Sequence, residues 1–295
     1  MRLKLNSSVL IILALAAIIS ACGGQKSETT VSADEFNSSG ELKEQIKEYV
    51  FNIPSPSEIP YMLMATGAEF NQSLINDRRK VDKYTTRSDK AALNLGVYAT
   101  DIGYLSSYDK TQDAIDYMST CKVLADNLNV TNSFDASLLR RFESNLANKD
   151  SLAQIINQSV MKAESFLRDD NRNKLAALML TGSFIEGMYI STGVIKSYPK
   201  DILPEDTRNL ILTPLMQIIL NQEKSVDETI AMLETVEQTN PVEQILADLK
   251  ELQSNFKKLN IQEQIRNNRA DLVLSDATLA EITNSVERLR KGIVD

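Results

Sequence analysis

Between residues 40 and 295 the apolar positions recur at intervals of three and four, the spacing that gathers them on one side of an α-helix. Sustained apolar–polar alternation bounded by turn signals is missing from this stretch, so strands are not expected. The pattern predicts a short helix over 41–50, then the stiff segment Phe51-Asn52-Ile53-Pro54-Ser55-Pro56. Ser57 offers an N-cap, with Glu58 in the first turn, for a helix running to about Gln72. A charged loop follows, and long helices are expected at about 88–107, 111–128, 134–146, 150–169 and 172–197. Beyond a proline-bearing loop come helices near 206–221 and 225–237. Asn240-Pro241 with Glu243 supplies cap, first-position proline and first-turn acid for another. The last two helices carry apolar seams, Ile245, Leu249, Leu252, Phe256 and Leu259, then Leu279, Ile282, Val286, Leu289 and Ile293. The fold class that follows is all-α, a single array of about ten antiparallel helices over 40–295.

Two of these helices have unusual faces. In residues 90–108, Ala92, Gly96, Ala99, Gly103 and Ser106 recur at intervals of four, three, four and three, placing small residues on one stripe where another backbone can come close. Glycine inside a helix costs about 1 kcal/mol relative to alanine, so two on one stripe point to a packing need. Asp101, Asn94 and the tyrosines argue against a membrane span here. A second helix, 174–193, resembles the first shifted by 85 residues. Ala92 falls on Ala177, Leu93 on Leu178, Leu95 on Leu180, Asp101 on Glu186, Tyr104 on Tyr189 and Ser106 on Ser191. Such a repeat would divide the array into two related halves, with the glycine-bearing helices packed together at its centre. Chance similarity between two alanine-rich helices is the competing explanation.

The start of the chain follows a different pattern. Arg2 and Lys4 precede an unbroken apolar run from Val9 to Ile19, shorter than the roughly 20 residues a permanent membrane helix needs. Ile19-Ser20-Ala21-Cys22 closes it and resembles the lipobox of bacterial lipoproteins: an aliphatic residue, two small residues and a cysteine. That resemblance implies that residues 1–21 are a lipoprotein signal peptide and that Cys22 is lipidated. Residues 22–39 read as the lipidated cysteine and a polar, flexible tether. Several acyl chains anchor stably where one does not, so the lipid would hold the protein to the outer membrane. Gln25-Lys26-Ser27-Glu28 resembles the acidic export tags of some surface lipoproteins, and the periplasmic and cell-surface faces both stay open.

Charge and composition narrow the chemistry. The chain has 32 basic and 40 acidic residues, and loss of Arg2 and Lys4 with the signal takes the net charge from −8 to −10. An acidic body argues against nucleic acid and leaves membrane attachment to the lipid. There is no histidine, which removes histidine-based triads, zinc sites and haem ligation. Cys121 is the one other cysteine and reads as a buried free thiol. No catalytic residue, metal site or cofactor is expected. Asp169-Asp170-Asn171-Arg172-Asn173 begins like a calcium loop but has Lys174 at the turn-glycine position and Leu180 at the bidentate-acid position. The basic stretch Arg78–Lys83 is a solvated loop or a docking place for an acidic partner. Asp101 shares a face with Tyr98 and Tyr108, with Tyr104 close by, and Glu186 stands near Tyr189 in the second helix. An acid among tyrosines either forms a satisfied polar network or binds a small ligand. In the second case Tyr98, Asp101, Tyr104, Glu186 and Tyr189 would line a pocket between helices 88–107 and 172–197. An Asp101–Glu186 acid pair acting as a hydrolase is the least favoured alternative.

YVFNIPSPSEIPYML, VDKYTT and ALNLGVYATDIGYLSSYDK, over roughly 49–128, resemble a family of uncharacterised lipoproteins from Bacteroidota. The shared features are Pro54-Ser55-Pro56 with Glu58, and Asn94-Leu95-Gly96-Val97-Tyr98 with Asp101 and Tyr104. The resemblance implies an envelope location and a helical fold, and carries no catalytic residues. Together these readings favour a lipid-anchored, non-enzymatic scaffold or adaptor of a cell-envelope complex, with a protein partner in the envelope.

Overall fold

A computed structural model describes residues 53–169, 172–197, 205–259, 267 and 277–295. The lipobox with Cys22, the 22–39 tether and the helix expected at 41–50 lie outside them. All regular structure among the described residues is helical, with no strand. In chain order the helices are α1 (Glu58–Ala65), α2 (Val81–Tyr84), α3 (Ser88–Ser107), α4 (Thr111–Asn127), α5 (Ala136–Glu143), α6 (Lys149–Asp169) and α7 (Asn173–Ser197). They continue with α8 (Glu205–Leu220), α9 (Glu223–Glu234), α10 (Asn240–Lys258) and α11 (Ala277–Val294).

The first helix is shorter than its sequence suggested. It ends at Ala65 because Gly67 takes a left-handed φ of 82°, which turns the chain out of the helix. The charged loop after it is also more ordered than expected. Asp77 accepts a hydrogen bond from the Arg79 backbone N–H and starts a 3₁₀ turn, Arg78–Lys80, that leads directly into α2.

Helices α3 and α7 form the centre, and most of their residues are buried on every side. A helix apolar all round belongs in a core or a membrane. Although α7 is long and apolar enough to cross a membrane, 94% of its most hydrophobic window is buried inside the protein. The two glycine-bearing helices pack against each other at backbone distance. A Cβ on Gly96 would overlap the Met179 carbonyl oxygen and stand 2.6 Å from the Ser183 nitrogen, and one on Gly182 would overlap the Leu93 carbonyl. Thr100 spans the same interface, donating to the Ser183 carbonyl at 3.0 Å.

These contacts correct one expectation. Across them the residue on α7 stays about 85 positions after its partner on α3, and a constant offset arises only between parallel helices. The central pair is therefore parallel, not antiparallel, because α3 and α7 are not neighbours in the chain. Helices α4 to α6 and their turns return the chain to the end where α3 began, before α7 starts. Positions related by the 85-residue shift meet across the interface, as they would about a local two-fold axis running along the helices.

The remaining helices cover this pair. α10 and α11 run antiparallel, with Asn255 bonded to Ser285, and Arg288 reaching back to Glu251 at 2.7 Å. Their expected seams are buried: Ile245, Leu249, Leu252 and Phe256 face Leu279, Ile282, Val286, Leu289 and Ile293 across the core. Cys121 is a buried free thiol on α4.

Candidate functional site

The polar residues singled out on α3 and α7 converge, but on each other. Asp101 and Glu186 are fully buried and adjoin across the parallel interface. Glu186 accepts a two-pronged ion pair from Arg290 of α11, with Nε to Oε2 at 3.0 Å and Nη2 to Oε1 at 3.1 Å. This fork geometry suits guanidinium and carboxylate, and gives both direction and strength. The Arg290 guanidinium lies 4.3 Å from the Tyr189 ring centre, so the aromatic face covers the charge on its open side.

On the other flank, Asp101 Oδ2 accepts the backbone N–H of Asn76 at 3.1 Å. Asn76 organises the loop before α2: its carbonyl accepts Tyr117 Oη–H at 2.7 Å, and its Nδ2 donates to Tyr84 Oη at 3.2 Å. Tyr84 in turn donates to the Val294 carbonyl at 2.8 Å, while Asn94 Nδ2 donates to the Ile293 carbonyl at 3.1 Å. The last carbonyls of a helix have no partner within it. Here two of those of α11 are taken by side chains from α2 and α3, which ties the end of the helix that carries Arg290 to the centre.

Burial governs the ionisation of this centre. Desolvation, and then the Glu186 charge, push the Asp101 carboxyl well above its ordinary value, against the opposing pull of Arg290. Burial likewise raises the Tyr84 and Tyr98 hydroxyls and the Cys121 thiol, all of which stay neutral. Although desolvation opposes it, Glu186 holds the Arg290 guanidinium even more firmly charged than usual.

The five residues expected to line a pocket thus have separate places. Tyr98 donates to the Asp77 carbonyl at 3.0 Å and packs edge-on to Tyr117. Tyr104 accepts the Asn71 N–H at 2.9 Å and joins a cluster with Phe70 and Tyr108. Asp101 and Glu186 meet, and Tyr189 joins them only through Arg290. The local sequence does not mark Arg290, because Leu-Arg-Lys-Gly resembles a solvated helix end. Its signal was position: Val286 and Ile293 of the apolar seam lie four residues before and three after it.

A cleft of about 710 Å³ opens elsewhere, at the N-terminal ends of the same two helices. Because α3 and α7 are parallel, their first turns lie side by side, and the α9–α10 connection closes the third wall. Its lining includes Arg87 and Asp89, Arg172 and Lys174, and Glu237, over an apolar floor of Leu175, Val236 and Pro241. Arg87 pairs with Asp89, and Lys174 with Glu237 at 2.6 Å. Neither α3 nor α10 has a side-chain hydrogen bond from its N-cap residue. Among the described residues no cluster of three or more acids or cysteines could hold a metal ion.

Fold and site together define a class: an all-α protein built around a parallel helix pair with a buried carboxyl–carboxylate–guanidinium centre. No family model matches the chain, and no curated protein or solved structure matches it.

Proposed function

We propose that the protein is a lipid-anchored lipoprotein of the bacterial outer membrane whose helical body serves as a non-enzymatic scaffold or adaptor in a cell-envelope complex. The observation that carries this reading is how the central ionisable groups are used. Asp101, Glu186 and Arg290 are bound to one another and to backbone, in a core closed by tyrosines. Side chains employed in this way hold three helices in register and favour a rigid body that presents its surface. The Ile19-Ser20-Ala21-Cys22 sequence supports the anchor, and the acidic composition supports attachment through lipid alone. The same resemblance to lipoproteins of Bacteroidota supports an envelope location.

Cells fed a labelled fatty acid should incorporate it into the full chain, and Cys22→Ser should abolish incorporation and move the protein from the detergent to the aqueous phase. Unlabelled wild-type protein would remove the anchor from this reading. The adaptor role is tested by cross-linking in intact cells followed by solubilisation, which should return a constant envelope partner. Recovery of the protein alone would count against it.

A second reading, capture of a small ligand, is favoured by the cleft at the starts of α3, α7 and α10. Cationic side chains beside helix N-termini without side-chain caps suit a small organic anion. A ligand that binds only the folded state raises its melting temperature. Citrate should therefore stabilise the wild type, and Lys174→Glu should abolish the response. Equal melting curves with and without citrate, phosphate or succinate would dispose of this reading.

A further inference from the structure

We propose that Asp101 and Glu186 form a proton-binding site, in which one hydrogen bridges the two carboxyl groups and stays bound to the folded protein at neutral pH. The argument begins with charge. Two carboxyl groups and one guanidinium share a centre in which both acids are 0% exposed. Were both acids ionised, the centre would carry an uncompensated negative charge out of reach of water, which folding avoids by neutralising the group.

The cation that acts on Asp101 is Arg290. α3 contributes Asp101 and the neutral Tyr98, α7 contributes Glu186 and Tyr189, and α4 contributes Tyr117 and the neutral Cys121. The loop and α2 supply Asn76 and Tyr84, while α11 supplies Arg290 and, at its end, Asp295. Lys80 pairs with Asp295 and reaches the Val294 carbonyl, Arg78 pairs with Asp116 at 2.9 Å, and Asp77 pairs with Arg79.

Hydrogen bonding then locates the proton. Each Glu186 oxygen accepts from Arg290. Asp101 accepts only the Asn76 N–H, on Oδ2, and its buried Oδ1 has no hydrogen-bond donor. The hydrogen therefore belongs on Asp101 Oδ1, donated to a free lone pair of Glu186. No covalent bond changes apart from the O–H that forms when the site takes its proton. The site joins α3, α7 and α11, so losing the proton loosens all three.

The test uses the full chain in detergent and two readouts. Infrared difference spectra at neutral pH should contain the carbonyl stretch of a protonated carboxylic acid. That band should persist in Glu164→Gln, which removes the other strongly buried acid among the described residues, and vanish in Asp101→Asn. The side-chain amide of the latter variant copies the shape and donor of the protonated acid without a titrating group. The folded-state affinity of Asp101 for its proton is raised, so its stabilisation is complete below about pH 4 and declines as pH rises through the folded value. The melting temperature of the wild type should accordingly fall relative to Asp101→Asn as pH rises. Absence of the band in wild type, its loss in Glu164→Gln, or melting curves that track each other at every pH would each overturn the proposal. If Asp101→Asn does not fold, the band in wild type and Glu164→Gln still decides it.

Discussion

Alanine at Gly96 or Gly182 is expected to cost about 3 kcal/mol or more, although the same exchange inside an ordinary helix stabilises it. At both sites the added carbon would overlap a backbone carbonyl of the facing helix, Met179 for Gly96 and Leu93 for Gly182. Backbone within a hydrogen-bonded helix cannot rotate away as a side-chain tip can, so α3 and α7 would have to separate along their length. Separation would unseat the Thr100–Ser183 bond and pull Asp101 from Glu186. Gly292 is the control. A Cβ there meets nothing within 4 Å, so Gly292→Ala should stabilise the protein by roughly 0.5 kcal/mol. Urea unfolding would measure all three variants on one scale. A neutral Gly96→Ala would mean that the helices are not in backbone contact.

Arg290→Met should cost about 3–5 kcal/mol, the usual consequence of removing one partner of a buried ion pair. Its side chain is 13% exposed and that of Glu186 is 0%, so water cannot take over the role of the guanidinium. With Arg290 gone, neither acid has a cation, and both must be protonated for the core to close. The deficit relative to wild type should therefore shrink as pH falls toward the range where carboxyl groups protonate. The double variant Glu186→Leu with Arg290→Met should recover most of the loss, since an apolar pair of similar volume removes the unpaired charge. Circular dichroism melts across pH would show both effects. A deficit that is the same at every pH would place the cost in packing against Tyr189.

Helix positions were largely legible because burying one face of a helix leaves a local record, as at Ile245, Leu249 and Leu252 on α10. The shorter α1 escaped that record, since Gly67 ends it through backbone conformation while apolar residues continue beyond. Asp101 and Glu186 were identified as unusual, and the 85-residue shift that relates them is also the register in which they touch. Their chemistry was not legible, because it depends on Arg290, some hundred residues downstream on a helix whose end resembles a solvated one. The same distance hid the cleft, assembled from helix starts far apart in the chain.

The sequence by itself thus determined the helical class and the glycine-bearing stripe, both set by neighbours within a few residues along the chain. Only the tertiary structure decided that α3 and α7 run parallel, that the two acids face each other and that one arginine serves both. Those outcomes depend on which segments meet in space, and the low dielectric of the place where they meet is what makes a shared proton necessary there.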